Sequence, residues 1–443
     1  VGRVILGRMK AFSWMVATSC LFSVATGSHG ADPLLNQLPR AMHVEMKDRP
    51  RVKVGAKEGD FVGGDNRALQ GAVDYVAGLG GGVVEIGEGE YLMRDSLHLR
   101  SHVTVKGVLG KTILRKAKGY STALKLDGDY GEEQITVADA AGFAVGDGVA
   151  INDKNAGGFH TTVARITGQN GNTFSISLPL NADCMVENGG RAATVFPVVS
   201  GYHCEDVRVQ DLTIEGNKAE NTYIDGCRGG GIFLYRCPGA VIERCIVRNY
   251  NGDGISFQQS NDVTVTDCLS ENNGGLGLHP GSGSQRPIVR GCTARGNKDD
   301  GLYLCWRVKY GLFEDNVLEG NGRFGISIGH KDTDNLLRKN QVRGNQQAGV
   351  HFRNESEGMA GSRNRLEENL IENNGVSHDA PGIQVRGETR DLVFKNNIIR
   401  DTRPEADRKQ TIGIQLEEKV GAVTLEANRI TAQKELADTR RSR

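Results

Sequence analysis

The sequence predicts an all-β chain wound as a right-handed parallel β-helix, and three observations carry that prediction. First, a glycine followed by an aliphatic residue recurs at Gly231-Ile232, Gly254-Ile255, Gly277-Leu278, Gly301-Leu302, Gly325-Ile326, Gly349-Val350, Gly382-Ile383 and Gly413-Ile414, in steps of 23, 23, 24, 24, 24, 33 and 31 residues. A fixed period in this range marks a solenoid, in which each repeat buries its apolar face only by stacking on its neighbours. Second, a Cys or Asn follows most of these glycines at fourteen or fifteen residues: Cys245, Cys268, Cys292, Asn316, Asn340, Asn397 and Asn428, with Asn369 displaced by an insertion. A further Asn lies four or five residues on, at Asn249, Asn272, Asn297, Asn321, Asn345 and Asn373. Inward Asn residues at turns can bond the backbone and their own copies above and below. Third, the stretches between the columns are short and β-branched, as in Val263-Thr-Val-Thr, and lack the 3.6-residue periodicity of helical solenoids. Handedness follows from the crossover rule for parallel strands.

The N-terminal half reads in order. Arg8 and Lys10 precede an apolar run from Ala11 to Val24 and then small residues, the pattern of an export signal over residues 1–31. The run is too short for a membrane span. Residues 32–54 form an extended polar lead-in. Asp65 to Asp74 reads as a capped amphipathic helix, followed by Gly80-Gly-Gly-Val-Val-Glu-Ile-Gly, then Gly89-Glu-Tyr-Leu, then His102-Val-Thr-Val-Lys-Gly107. Residues 55–131 are thus a cap and first coils. Residues 132–200 break the period with alternating segments such as Gln134-Ile-Thr-Val and Thr161-Thr-Val-Ala-Arg-Ile, a small antiparallel β insertion. Regular coils occupy 201–432, with loop insertions at 355–363 and 375–381, and residues 433–443 form a frayed tail.

The order of cap helix, triple glycine, Gly-x-Tyr and first coil, together with the repeat, resembles the pectate-lyase-like superfamily of right-handed β-helices over roughly residues 55–430. That resemblance implies a carbohydrate-related role and leaves lyase, epimerase, hydrolase and glycan-binding functions open, because function lives in sites grafted on folds.

Composition narrows partners. Sixty glycines fit many tight turns, and 54 basic residues balance 54 acidic ones, so no global field steers nucleic acid. Leaving out Cys20, eight cysteines remain. Cys245, Cys268 and Cys292 fall in one inward column as small core residues, while a Cys184–Cys204 or Cys227–Cys237 bridge stays open.

Strand alternation assigns faces. The residue two past each glycine points outward, giving a column Phe233, Ser256, His279, Tyr303, Ser327, His351, Gln384 and Gln415. Two further on the column reads Tyr235, Gln258, Gly281, Cys305, Gly329, Arg353, Arg386 and Glu417. Gly281, Cys305 and Gly329 are small and consecutive, which predicts a shallow trough. His279, Tyr303, Ser327 and His351 border it on one side, and Trp306, Arg307, His330 and Lys331 on the other. A uronate polysaccharide needs an aromatic platform, hydrogen-bond donors and cations for its carboxylates, and all three converge here.

For β-elimination, Arg307 or Lys331 would neutralise the carboxylate, His279 or His330 would take the C5 proton, and Tyr303 would protonate the leaving oxygen. C5 epimerisation needs the same groups. Trp306, His351, Arg353, Ser327 and Gln258 would bind substrate. The runner-up reading is a glycosidase, for which Asp253 and Asp299-Asp300 are the available carboxyls. Asn251-Gly-Asp253 and Gly325-Ile-Ser-Ile-Gly329 superficially resemble polygalacturonase elements, but the spacing differs and the family's Gly-His-Gly and Arg-Ile-Lys are missing. Tight turns also favour Asp before Gly. A third reading is a non-catalytic glycan-binding protein. A calcium site is conceivable where Asp332, Asp334 and Asn335 cluster.

Overall fold

The computed structural model describes residues 48–440. The expected export signal and most of the expected lead-in lie outside the described residues. From Arg51 the chain coils into three parallel sheets of 13, 11 and 11 strands. One coil shows the pattern. Leu278–Gly281 lies in the sheet that carries the candidate site, Ile288–Arg290 in the second and Thr293–Arg295 in the third, and Leu302–Tyr303 returns to the first, directly above Leu278. The aliphatic residue after each repeat glycine is buried in every coil: Ile232, Ile255, Leu278, Leu302, Ile326, Val350, Ile383 and Ile414 stack into one continuous core. These glycines have no room for a side chain. A Cβ on Gly254 would lie 2.8 Å from the Gly277 carbonyl oxygen, and on Gly301 2.8 Å from that of Gly325.

Two Asn ladders tie the coils. Asn316, Asn340, Asn369, Asn397 and Asn428 form the first, each amide nitrogen donating to the next Asn oxygen at 2.9 Å. The three thiols precede it in the same column, and the Cys292 N–H donates to Asn316 Oδ1 at 3.0 Å. The second ladder runs Asn273, Asn297, Asn321, Asn345 and Asn374 and ends on Gln410. Here the column read from the sequence is corrected at three places. Asn249, Asn272 and Asn373 lie in the left-handed backbone region at the turn, with φ of 53°, 54° and 58°. Asn is the residue that tolerates this conformation best after Gly, and the inward position falls to the next residue.

Helix α1 (Asn66–Gly78) covers the N-terminal end, burying Leu69, Ala72, Val73 and Val76, and the Asp65 carboxylate caps it by accepting the Arg67 N–H at 3.0 Å. The insertion is a six-stranded antiparallel sheet with its own core around Phe174, Val149 and Ile151. Its strands run from Ser121–Ala123 to Arg191–Ala193, so it begins before residue 132, and Val199–Tyr202 already belongs to the coils. Arg51–Gly55 of the lead-in is a strand, and Lys434–Asp438 of the expected frayed tail pairs with Ile412–Leu416. The eight described cysteines are unbridged. No described helix is long and apolar enough to cross a membrane.

Candidate functional site

The outward column is in register as aligned: Phe233 pairs with Ser256, Ser256 with His279, Tyr303 with Ser327, Ser327 with His351, His351 with Gln384 and Gln384 with Gln415. Its exposure is not as expected. Ser256 is fully buried and His279 is 3% exposed, because the segment 222–230 closes over them. The Ser256 hydroxyl donates to the Gly226 carbonyl at 2.7 Å. A Cβ on Gly226 would lie 1.6 Å from an Asp253 carboxylate oxygen and 2.9 Å from His279 Nδ1, so only glycine allows this approach. The insertion braces the segment, since Arg228 Nε donates to the Phe159 carbonyl at 2.7 Å.

The small column does not leave a trough either. Gln258 fills the space beside Gly281, and Arg353 the space beside Gly329, where a Cβ would lie 2.5 Å from Gln258 Oε1 and 2.6 Å from Arg353 Nε. Gln258, Ser327 and His351 are therefore buried framework rather than open contacts.

Under the cover, His279 Nδ1 donates to Asp253 Oδ2 at 2.7 Å, while Asp253 Oδ1 accepts the Leu276 N–H at 2.8 Å. Burial pulls the imidazole pKa down, but the Asp253 hydrogen bond, the Cys305 thiol and the Asp253 charge outweigh it and hold it at about 10. Burial also raises the Asp253 carboxyl, against the pull of His279. With two donors on Asp253 the shared proton sits on His279 Nδ1, and the ring is covered, so it cannot reach a C5 proton. This corrects His279 as a base.

Tyr303 is half-buried. Its ring stands edge-on to His279 at 5.5 Å, and the Arg353 guanidinium lies 4.4 Å from its centroid. Burial raises the phenol pKa against the opposing Arg353 charge, so it keeps its proton, and the hydroxyl makes no hydrogen bond among the described residues. Arg353 donates to Ser327 Oγ at 2.9 Å, to the Leu304 carbonyl at 2.7 Å and to Asp332 Oδ2 at 3.0 Å. It is a fixed support rather than a free anion binder.

The second flank is open. Trp306 is 39% exposed and stacks on His330 at 4.9 Å, with the Arg307 guanidinium 5.9 Å from its ring. Arg307 and Lys331 are exposed and make no ion pair among the described residues. Trp306-Arg307 and His330-Lys331 lie in the left-handed region with φ of 60°, 69°, 48° and 64°, the only consecutive non-glycine pairs so placed among the described residues. Such residues cost about 1–3 kcal/mol each and cluster at functional sites. His330 Nε2 contacts Glu355 Oε1 at 2.8 Å, and its buried Nδ1 has no partner. Burial, with Arg353 adding, lowers its pKa against Glu355, leaving a neutral imidazole.

A family model for a right-handed β-helix region matches residues 204–360. The A-modules of two mannuronan C-5 epimerases of Azotobacter vinelandii, AlgE6 and AlgE4, are similar in structure. They show 14% and 16% identity and TM-scores of 0.53 and 0.54, each match covering 88% of this chain and all of that module. A glycoside hydrolase matches at 11% identity and TM-score 0.52, over 85% of this chain and 96% of its own. No curated protein sequence matches. The chain is a right-handed β-helix protein. At these identities the likeness is one of fold.

The carboxyls of this β-helix protein are mostly committed. Asp332 accepts the Val308 and Gly329 N–H groups at 2.9 and 3.1 Å and pairs with Arg353, while burial pushes its pKa up to about 7 against the Arg353 charge. Asp334 pairs with Arg363 at 2.7 Å. Asn335 belongs to an inner ladder, accepting the Gly311 N–H at 2.8 Å. The loop therefore does not gather them on a calcium position, and no group of three or more His, Cys, Asp and Glu side chains converges on a metal position among the described residues. Asp300 differs. Its Oδ1 accepts the Phe324 N–H at 3.0 Å, its buried Oδ2 has no partner, and burial pushes its pKa up to about 6. Sequence reasoning took Asp253 and Asp300 chiefly as turn residues. The column map held the signal for Asp253, which precedes Gly254 and so faces His279 one coil on.

Proposed function

We propose that this is an exported, carbohydrate-active protein that binds an acidic polysaccharide along the outward sheet and acts on it by β-elimination or C5 epimerisation. One observation carries the reading. Two unpaired cations, Arg307 and Lys331, sit on strained tandem turns around the Trp306–His330 stack, beside a phenol that keeps its proton. Trp306 provides the platform for a sugar ring, and the cations neutralise a uronate carboxylate, which makes its C5 proton removable. His330 is the base we assign, acting through Nε2 once substrate displaces Glu355, since its Nδ1 is buried. In elimination the C4–O bond breaks as the C5 proton leaves, and Tyr303 donates its proton to the departing oxygen. In epimerisation Tyr303 returns a proton to C5 from the opposite face. The mannuronan C-5 epimerases that share the fold are consistent with this class. Hydrolysis needs two acting carboxyl groups. Of the three buried ones on this face, Asp253 and Asp332 have both oxygens engaged, and Asp300 alone keeps one free.

Purified protein incubated with pectins, alginates and glycosaminoglycans tests this. Ultraviolet absorbance marks unsaturated elimination product, a changed sugar proton spectrum marks epimerisation, and reducing ends without absorbance mark hydrolysis. Tyr303→Phe should abolish turnover, a loss of about 10²–10⁴-fold, with binding retained. Turnover that survives this change, or hydrolytic product, overturns the proposal.

A further inference from the structure

Beyond the cationic flank, the same sheet runs into a cleft of about 200 Å³ between its last coils and the loops around residues 378–381 and 411–412. The Phe324 ring, Pro381 and Ile412 form its apolar wall. Phe324 is held by the neutral His351 ring, stacked at 4.1 Å and nearly parallel at 7°. Burial keeps that imidazole neutral, its pKa lowered to about 4. Its Nδ1–H donates to Gln384 Oε1 at 2.9 Å, which fixes the Gln384 amide and turns its NH₂ away from the ring. Of the remaining polar lining, Asp379 carries a charge and faces Lys409, His378 Nδ1 meets the Ser377 hydroxyl at 2.9 Å, and the rest is amide and hydroxyl. The side chains of Gln347, Thr411 and Gln415 make no hydrogen bond among the described residues. The nearby cations each lie against a carboxylate: Lys409 3.7 Å from Asp379, Arg386 2.9 Å from Glu417, and Arg323, whose guanidinium is 5.5 Å from the Phe324 ring, 3.9 Å from Asp300.

Amide and hydroxyl groups around an apolar wall fit the hydroxyls and C–H face of an uncharged sugar ring, and a carboxylate entering the cleft would meet Asp379 and cations that already face carboxylates. In register, Gln384 and Gln415 lie three and four coils from Tyr303, roughly 14–19 Å along the sheet. We propose that this cleft is a subsite for an uncharged sugar unit, so that the substrate is a heteropolysaccharide in which uronic acid and uncharged hexose units are joined in one chain. The inference rests on the acidic-glycan reading above for the charged end only.

Calorimetric titration of the full chain with three oligosaccharides of equal length tests it: a pure uronate oligomer, an oligomer alternating uronic acid with uncharged hexose, and a wholly uncharged hexose oligomer. The alternating oligomer should bind most tightly. Gln415→Ala combined with Thr411→Ala should weaken it about tenfold and weaken the uncharged oligomer likewise, leaving the pure uronate unchanged. Arg307→Ala should weaken the pure uronate and the alternating oligomer and leave the wholly uncharged one unchanged. Equal weakening of all three by the double variant, no weakening of any, or no binding of either oligomer that contains hexose overturns the subsite. Binding of the uncharged oligomer alone, lost in the double variant, upholds the cleft while removing the acidic-glycan reading.

Discussion

Replacing Asp253 by Asn isolates the covered pair from everything else on the sheet. The perturbation is nearly isosteric, and the new amide oxygen can still accept the Leu276 N–H that now lies 2.8 Å from Asp253 Oδ1. What it removes is the negative charge 2.7 Å from His279 Nδ1. With that charge the imidazole pKa stands at about 10 instead of 6.5, so at pH 7 only about one molecule in a thousand carries it neutral. Without it, only the Cys305 contact opposes burial, so the pKa falls and the neutral imidazole is favoured at pH 7. The sign of the stability effect follows. A pKa raised on folding contributes stability that is fully present below the unfolded value near 6.5 and is lost as pH rises through about 10. The wild type should therefore lose stability across that window and the Asn variant should not. Asp253→Ala, which leaves the imidazole without any partner, should cost about 3–5 kcal/mol. Proton NMR of the imidazole, assigned by comparison with His279→Gln, reads the titration directly. A His279 resonance that titrates near pH 6.5 in the wild type, or that is unmoved by Asp253→Asn, refutes the pair as an imidazolium clamp.

Three further outcomes follow from the same geometry. Asn321→Ala should cost several kcal/mol, about 1–3 for each group left unpaired among Asn297, Asn345 and the Ala294 carbonyl, whereas Asn428→Ala at the partly exposed end of its ladder should cost about 1, as read by denaturant unfolding. Arg307→Ala should weaken polyuronate binding and flatten its salt dependence, measured from low ionic strength to about 0.15 M, because an exposed cation acts through a screened field. His351 should destabilise the fold on acidification. Its pKa drops from 6.5 to about 4 on folding, so the unfolded state binds the extra proton and up to about 3 kcal/mol is lost as pH falls from 6.5 to 4; in His351→Gln that slope should vanish from the pH profile of unfolding.

The fold was legible because a solenoid writes its period into the chain: a glycine with no room for Cβ and an aliphatic knob must recur whenever the path returns to the same sheet. The register of the outward column followed from the same glycines, so Tyr303 was correctly stacked on Ser327 and Trp306 on His330. Exposure was not legible. The cover over His279 comes from residues 222–230, and its brace from Phe159 in an insertion outside the repeat. No period links them to the column they bury. The expected trough failed for a related reason. Glycine at 281 and 329 signals space, but long side chains reach into it from neighbouring coils, as Gln258 and Arg353 do. Pairing of charge was equally hidden, since Arg353 reads as a surface cation until Asp332, 21 residues away, is seen beneath it.

The ionised groups under this sheet are hard to explain as stabilisers. The Asn ladders already satisfy the turns and tie coil to coil, and they do so in coils that carry no buried charge on the outward side. Asp253–His279 and Arg353–Asp332 pay a desolvation penalty that their attraction offsets only in part, and hydrophobic residues of the same volume would serve the core as well or better. Asp300 is more costly still, with one buried oxygen unpartnered. These groups nevertheless crowd around a single side chain. His279 meets the Tyr303 ring edge-on, Arg353 lies over its face, and Asp300 and Asp332 contribute to its field. Together they fix the phenol, and burial with the two carboxyls keeps its proton on against the opposing Arg353 charge, while its hydroxyl makes no hydrogen bond among the described residues. A solenoid can carry that cost locally, because its stability is a sum over neighbouring coils rather than a property of any one of them. The strained Trp306-Arg307 and His330-Lys331 turns fall on the same coils. Buried charge and backbone strain thus coincide where the sheet presents an aromatic platform and free cations, and nothing in the packing of the coils requires that coincidence.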